Sequence, residues 1–118
     1  MPTIRRGEVW WVSFDRSRGG QIRKRRPAVV LSNDVANAAL NRVVVVPVTS
    51  QAAKLYPGEA RITIEGRPAK AMADQIATAA KERLGSRLGI LTPADLEAVE
   101  RAILFHLSLD RKSVARSP

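Results

Sequence analysis

The stretch Gly19–Thr49, GGQIRKRRPAVVLSNDVANAALNRVVVVPVT, contains the strongest structural signals in this chain of 118 residues. It opens with a glycine pair and a loop that carries four consecutive cations, Arg23–Arg26, directly into the apolar run Ala28–Leu31. A second apolar run, Val43–Val48, ends in two hydroxyl side chains. The stretch therefore predicts two strands that hold positive charge and hydroxyl donors around an anion.

Two prolines set the local backbone of these strands. Pro27 has no amide donor and restricts the preceding Arg26 to an extended conformation, so the guanidinium is attached to a rigid segment of backbone. The run Val43–Val48 is apolar on both faces, which is typical of a central strand or a barrel wall. Because Pro47 favours an edge or a bulge, we expect Thr49 and the serine after it to turn out of the regular ladder.

The remaining elements are predicted from apolar alternation, turn residues and caps. Predicted strands cover Gly7–Phe14, Ala28–Leu31, Val43–Val48, Arg61–Ile64, Ala69–Ile76 and Ser86–Leu88, with a turn at Glu65–Pro68. Predicted helices cover a turn at Asp34–Leu40 capped by Ser32 or Asn33, the alanine-containing segment Ala77–Leu84, and a C-terminal helix. In the first strand, Trp10 and Trp11 face opposite sides.

The C-terminal helix has the clearest signals. Thr92 is the predicted N-cap, Pro93 the first helical residue, and Asp95 an acid in the first turn. Its apolar stripe consists of Leu96, Val99, Ala102, Ile103, Phe105 and Leu107. Many short strands closed by one helix predict an α+β fold, a small bent sheet or barrel with a helical lid. We expect one domain over residues 1–109 and a basic tail over 110–118 that frays.

The composition predicts an anionic partner. Twenty Lys and Arg stand against eleven Asp and Glu, a formal charge of +9. Such an imbalance attracts polyanions and releases their counterions on contact. The chain has no Cys, which excludes disulfides, thiol nucleophiles and Cys-ligated zinc. Since we find no signal peptide and no run of roughly 20 apolar residues, we expect a soluble, cytoplasmic protein without membrane association.

Few catalytic chemistries fit the residues present. His106 is the single histidine, so no histidine pair exists within one chain, and its place beside the apolar stripe favours packing or an interface. The acids are scattered and match no calcium, zinc or phosphate-loop motif. What remains is electrostatic catalysis by arginine and hydroxyl donors. RNA suits such a site because it carries its own nucleophile, the 2′-OH, which needs only positioning and charge stabilisation.

Several short motifs, taken in order, resemble the MazF/PemK/Kid family of toxins, the endoribonucleases of toxin–antitoxin modules. No single motif is specific, but their order and spacing together extend from residue 5 to about residue 109. The motifs are Gly7-Glu8-Val9-Trp10, Asp15 with Gly19, Arg26-Pro27-Ala28-Val29-Val30-Leu31-Ser32, Pro47-Val48-Thr49-Ser50 and Ala73-Asp74-Gln75-Ile76, followed by the C-terminal helix.

The resemblance implies an SH3-like β-barrel, as in CcdB and PemK, with a short helix after the second strand and a C-terminal helix, assembled as a homodimer. It implies metal-independent, cofactor-free cleavage of single-stranded messenger RNA, with tRNA or rRNA as further targets, at a short sequence. The products would be 2′,3′-cyclic phosphate and 5′-OH ends, and translation and growth would stop. A MazE-like acidic antitoxin would occupy the substrate groove.

The resemblance also implies a set of site residues. The family's catalytic arginine and threonine fall on Arg26 and Thr49. The implied substrate-binding residues are Arg18, Gln21, Lys24, Arg25, Ser50 and Gln75. Lys24 and Arg25 would supply affinity rather than chemistry, and Arg67 and Lys70 would extend the basic surface.

One departure from the family pattern leaves the proton acceptor open. Many members carry Gly-Ser-Glu-Gln in the loop after the first strand, whereas this chain has Gly19-Gly20-Gln21-Ile22. An amide is a poor base, so Gln21 cannot replace a glutamate. A guanidinium is effectively never deprotonated in proteins, so Arg26 is assigned to stabilising charge. The base is therefore unassigned, and a neighbouring water and a transiently perturbed guanidinium are the two alternatives.

Two other functions compete with the endoribonuclease. A CcdB-like toxin would bind gyrase through the C-terminal helix, and a non-catalytic barrel would bind nucleic acid. Neither needs the Arg26 and Thr49 pair. In a purely structural interpretation, Arg26 is a solvated strand entrance and Thr49 an ordinary strand former.

Overall fold

The computed structural model describes residues 3–14 and 24–110. In these residues the strands are β1 (Glu8–Ser13), β2 (Arg25–Val30), β3 (Arg42–Thr49), β4 (Glu59–Ile64), β5 (Arg67–Met72), β6 (Ala77–Ala80) and β7 (Leu84–Ile90). The helices are α1 (Asp34–Ala39) and α2 (Pro93–His106), and 3₁₀ turns cover Ala73–Gln75 and Lys81–Arg83.

The strands form one curled antiparallel sheet, a half-barrel. Its order is β4-β5-β3-β2-β1-β7, and β6 pairs with β3 outside this path. The short α1 follows β2, and α2 lies at the C-terminal end. The α+β prediction, with a bent sheet, a short helix after the second strand and a C-terminal helix, is confirmed.

β3 lies at the centre of the curl because two strands share one of its edges. The end of β3 pairs with β5, with Val48 opposite Ala71, and its beginning pairs with β6, with Val45 opposite Ala77. The 3₁₀ turn between β5 and β6 therefore lies beside Pro47, which has no N–H to offer a ladder.

Thr49 stays in the ladder, contrary to the sequence prediction. It is the last residue of β3 and pairs with Lys70 of β5. The irregularity that Pro47 favours occurs in the segment that pairs with β3. After β5 this segment leaves the sheet for one 3₁₀ turn and then rejoins it as β6. The same turn holds Asp74 and Gln75, so the prediction that 69–76 is extended is correct only as far as Met72.

The sheet separates two apolar clusters. On one face, Val9, Val29, Val46, Val48 and Ile62 pack under α2, which contributes Val99 and Ala102. On the other face, Trp10, Val12, Ala28, Val30, Val43 and Val45 form the second cluster. The predicted alternation of β1 is confirmed, since Val9 and Trp10 lie in different clusters.

Capping and polar contacts hold α2 in place. The Thr92 side chain accepts a hydrogen bond from the Asp95 amide, and Pro93 begins the helix, as predicted. Asp95 in turn accepts a hydrogen bond from the Thr63 amide of β4 at 3.0 Å. Arg6 forms an ion pair with Glu100 at 2.7 Å. The helix is thus tied to β4 and to the segment that precedes β1.

Several predicted boundaries differ from the structure. β2 begins at Arg25, three residues before the predicted strand, and ends before Leu31. The predicted helix over 77–84 is wrong, because Ala77–Ala80 is a strand and Lys81–Arg83 a 3₁₀ turn. The end of the α2 stripe is not buried, since Phe105 and Leu107 are 58% and 45% exposed. The predicted turn at Glu65–Pro68 is confirmed for Glu65 and Gly66, both at positive φ, as a type I′ hairpin requires, whereas Arg67 and Pro68 already belong to β5.

Neither described helix has the length and hydrophobicity that crossing a membrane requires.

Candidate active site

A line of side chains crosses the sheet from β4 to β2. Directly opposite residues in a ladder share one face of the sheet. Arg61 lies opposite Lys70, and Lys70 lies opposite Thr49. β2 and β3 pair as far as Ala28 and Pro47, and counting two residues further along both strands brings Arg26 opposite Thr49. Arg61, Lys70, Thr49 and Arg26 are called the transverse row below.

Arg26 is anchored on β2 by its pairing with β1. It lies opposite Val12, which is fully buried, while Arg26 itself is half-buried. Pro27 follows it in the strand, and the restriction that proline imposes keeps Arg26 extended. The guanidinium therefore starts from a rigid backbone at the edge of the second apolar cluster, where a planar fork can bind two oxygens of one phosphate.

Thr49 is half-buried at the end of β3. Its Oγ1 accepts a hydrogen bond from the Gln51 amide at 3.3 Å. A hydroxyl that accepts in this way keeps its own proton available for donation. The Thr49 hydroxyl can therefore donate a hydrogen bond while it accepts the one from Gln51.

The two cations on the other side of Thr49 bind the loop between β3 and β4. Arg61 donates to the Ala52 carbonyl at 2.6 Å, and Lys70 donates to the Lys54 carbonyl at 2.6 Å. Lys70 is also paired with Glu59 at 2.9 Å. Burial raises the pKa of Glu59, but hydrogen bonds from Lys70 and the Tyr56 amide and the charge of Lys70 outweigh it and leave that pKa lowered.

The expectation that Lys70 extends an exposed basic surface is wrong. Its side chain is buried and its charge is paired with Glu59, although its strand neighbours Ala69 and Ala71 place it on the face opposite to the core under α2. Arg67 is exposed, at the start of β5.

Lys24 and Arg25 are exposed, as affinity residues would be. Arg25, however, lies on the face opposite to Arg26. It pairs with Ser13, and its guanidinium lies 5.0 Å from the centre of the Trp11 ring. The structure therefore separates Arg25 from the transverse row, although the two arginines are adjacent in sequence.

Ser50 and Gln75 flank the row without belonging to it. Ser50 is exposed and lines an open cleft of about 750 Å³, together with Gln51, Ala52, Ala53, Arg61 and Pro68. Gln75 is exposed in the 3₁₀ turn beside Pro47, where its amide contacts the Met72 sulfur at 3.5 Å. The predicted residues Arg18 and Gln21 lie outside the described residues.

Other titratable groups lie away from the row. His106 is exposed at the end of α2, beside Gly58. Within residues 3–14 and 24–110, no three His, Asp or Glu side chains come close enough together to hold a metal ion. The sequence motifs do not predict a place near the site for Arg61 or Tyr56, or the anchoring contacts of Lys70. Only the alternation of Arg61-Ile62-Thr63-Ile64 marked one of them, by placing Arg61 on the face opposite to Ile62.

Comparison with known proteins adds a family to this geometry. Residues 5–107 match the family model described as PemK-like, MazF-like toxin of type II toxin–antitoxin system. The chain is similar to Endoribonuclease MazF9 of Mycobacterium tuberculosis, with 43% identity over 115 residues that cover 90% of this chain and 98% of that protein.

A second relative and a solved structure agree with this match. Endoribonuclease toxin MazF of Escherichia coli K12 is 34% identical over 98 residues, which cover 82% of this chain and 87% of that protein. The structure of an endoribonuclease in complex with its cognate antitoxin from a mycobacterial species superposes with a TM-score of 0.75. It has 27% sequence identity and covers 90% of this chain and 96% of that one.

Proposed function

This chain belongs to the PemK-like, MazF-like toxins of type II toxin–antitoxin systems, and we propose that it cleaves single-stranded RNA at a short sequence without a metal ion. The relatives named endoribonucleases support the activity. The proposed chemistry is supported by the register of β2 and β3, which, when continued two residues past Ala28 and Pro47, puts a half-buried arginine level with a threonine.

In the proposed reaction the substrate supplies the nucleophile. The 2′ oxygen bonds to the adjacent phosphorus, the bond from phosphorus to the 5′ oxygen breaks, and a 2′,3′-cyclic phosphate and a 5′-OH result. The 2′ proton leaves to a base, and the 5′ oxygen takes up a proton. The row has no imidazole and no carboxylate, and a charged guanidinium has no lone pair that could accept a proton, so the 2′ proton passes to a water.

Arg26 and Thr49 have separate roles in this scheme. The guanidinium of Arg26 binds the non-bridging phosphoryl oxygens, whose negative charge increases in the transition state. The Thr49 hydroxyl donates to the same group and fixes the phosphate in line for attack. Ser50, Gln75, Lys24 and Arg25 contact the flanking nucleotides, together with Arg18 and Gln21.

A MazE-like antitoxin is the proposed protein partner. The structure of a similar toxin with its cognate antitoxin supports such a partner, and a charge of +9 favours an acidic segment that competes with RNA for the same groove. We further propose that the toxin works as a homodimer in the cytoplasm, with residues 1–109 as one domain and 110–118 as a basic tail.

The test is an incubation of purified protein with a long RNA in EDTA, followed by analysis of the new ends. We expect cuts at a restricted sequence, with 5′-OH and cyclic phosphate termini. A strict requirement for added Mg²⁺, or 5′-phosphate ends, would contradict the proposed chemistry. Co-expression with the antitoxin should abolish the cuts.

A further inference from the structure

An exposed aromatic ring lies one side chain away from Thr49. Tyr56, in the loop between β3 and β4, is 52% exposed. The Lys70 ammonium lies 5.1 Å from the centre of this ring, and Lys54 lies 5.5 Å from it. Since Lys70 is the ladder partner of Thr49, the ring lies over the side chain of a direct strand neighbour of Thr49.

The Lys70 ammonium that lies over this ring is buried and has three contacts. The residue is 7% exposed. Its Nζ contacts Glu59 at 2.9 Å, the Lys54 carbonyl at 2.6 Å and the face of Tyr56. Glu59 also accepts a hydrogen bond from the Tyr56 amide at 2.7 Å. The backbone of Tyr56 and its ring are therefore both tied to the same ion pair.

The rest of the loop is fastened at both ends. Arg61 binds the Ala52 carbonyl at 2.6 Å, and the Ala73 amide donates to the Gly58 carbonyl at 3.0 Å. Arg61 and Lys70, two neighbouring residues of the transverse row, thus donate hydrogen bonds to loop carbonyls. A loop held in this way presents its aromatic side chain in a defined position beside the row.

We propose that Tyr56 stacks one unpaired base of the RNA, one nucleotide beyond the two that flank the scissile phosphate, and that Lys70 is the positioning residue that holds this platform in register with Thr49. The inference rests on the proposed endoribonuclease function. Every base has a π face, and a single tyrosine suits one base rather than a run of bases. Lys54, also over the ring, supplies charge for the backbone of the same nucleotide.

The structure favours RNA over an apolar protein partner at this ring. Two cationic side chains, Lys54 and Lys70, lie within 5.5 Å of the ring centre, and residues 50–53 of the same loop line an open cleft of about 750 Å³ together with Arg61. Stacking combined with positive charge is the usual composition of a single-strand binding surface.

The experiment compares two substrates at the cut site mapped with the wild-type protein, a long RNA and the dinucleotide that spans the scissile phosphate. The variants are Tyr56→Ala, Tyr56→Phe and Lys70→Met. Phe105→Ala, another exposed aromatic, and Arg101→Met, an exposed cation, are the matched controls. Thermal unfolding of each variant checks the fold.

We expect Tyr56→Ala to raise KM for the long RNA roughly tenfold or more, since stacking one base contributes that much to binding. Its kcat, and its KM for the dinucleotide, should stay within about twofold of wild type, because chemistry at the phosphate does not use the ring. Tyr56→Phe and both controls should behave as wild type. Lys70→Met should reproduce Tyr56→Ala, and combining the two should add little.

Two outcomes overturn different statements. A wild-type protein that leaves RNA intact contradicts the proposed function itself. A wild-type protein that cleaves, with an unchanged KM in Tyr56→Ala or an equal loss on both substrates, overturns only the base platform. If Lys70→Met does not fold, Tyr56→Ala and Tyr56→Phe decide the matter, because the Tyr56 ring lies on an exposed loop.

Discussion

At the scale of single residues, the proposed catalytic role of Arg26 depends on the residues that surround it. An arginine before a proline is common, and short motifs of this kind are weak evidence alone. Here the register adds information, because it pairs Arg26 with buried Val12 on one side and brings it level with Thr49 on the other. Arg25, one residue earlier, lies over Trp11 on the opposite face.

Removing either group of the pair should abolish most of the activity. Arg26→Ala and Thr49→Ala should each lower kcat for RNA cleavage by roughly a hundredfold or more, since each removes one preorganised donor to the transition state. Both variants should unfold at nearly the wild-type temperature. Single-turnover cleavage of a fixed RNA measures the effect.

Arg25→Ala is the matched control for this prediction. Because Arg25 is an exposed cation, this variant should weaken RNA binding and lower the slope of log affinity against log salt by about 0.7 for one lost phosphate contact. Its kcat should be retained, because Arg25 lies away from the row. A kcat loss in Arg25→Ala equal to that in Arg26→Ala would contradict the assignment of the site to one face.

A second residue, Glu8, carries a buried charge away from the site. It is 4% exposed and accepts hydrogen bonds from the Arg5 amide and the Trp10 indole, and from Arg87 at 2.8 Å. Burial raises the pKa of Glu8, but these hydrogen bonds and the charge of Arg87 outweigh it and lower the pKa below its ordinary value of 4.5. The carboxylate thus joins the segment before β1 to β7.

The lowered pKa predicts a defined pH dependence. A carboxyl that is more acidic in the folded state stabilises the fold above pH 4.5, and this stability is lost as the pH falls through the folded-state pKa. Glu8→Gln should lower the free energy of unfolding by about 1–3 kcal/mol at pH 7, and the difference from wild type should shrink in acid. Urea unfolding at several pH values measures this.

Glu97→Gln, on the exposed surface of α2, should change stability by less than about 0.5 kcal/mol at any pH. A Glu8→Gln penalty that stays constant into acid would show that the charge of Glu8 is not what stabilises the protein.

At the scale of secondary structure, α2 shows both the strength and the limit of pattern reasoning. Its cap, its proline and the burial of Val99 and Ala102 follow from helical spacing. The same spacing predicts burial of Phe105 and Leu107, which are exposed; Phe105 lines an open cleft with Leu55, Pro57 and Gly58 instead of entering the core.

Two substitutions on α2 test this difference. Val99→Ala should lower the free energy of unfolding by about 2 kcal/mol, because it removes buried methyl groups between helix and sheet. Phe105→Ala should change it by less than about 0.5 kcal/mol. Equal losses, measured by urea unfolding at low protein concentration, would mean that the two positions are buried alike.

The segment 77–84 could not be assigned from its own residues. Its alanines favour a helix, but Ala77–Ala80 pair with the first half of β3, opposite Arg42–Val45. Tertiary pairing outweighs a helix propensity of a few tenths of a kcal/mol per residue. Lys70 is a similar case, since a single lysine among alanines is normally solvated, and only the fold shows that Glu59 lies beside it.

At the scale of the whole molecule, the curled sheet brings residues that are distant in the sequence together at the candidate site. Arg26 and Thr49 are 23 residues apart in the chain, and the antiparallel pairing of β2 with β3 brings them level. The α+β class and both helices could be predicted from the sequence, which also names this pair as the candidate catalytic residues. The face on which each cation lies could not, because it depends on the register and on where the strands end.

The charge of +9 acts at the same scale. It favours anionic partners such as the proposed RNA substrate and acidic antitoxin, and it has no sequence preference of its own. A preference for one cleavage sequence would therefore come from local features of the site, while affinity and its salt dependence depend on the whole surface.

The central claim is that the RNA attacks its own phosphate while Arg26 and Thr49 stabilise the charge. The most direct measurement uses the mapped RNA substrate in EDTA, beside a copy that lacks only the 2′ oxygen at the cut. The account predicts cleavage of the first and no cleavage of the second at that position, with binding of both. Cleavage of the deoxy-substituted copy at the same phosphate would contradict it.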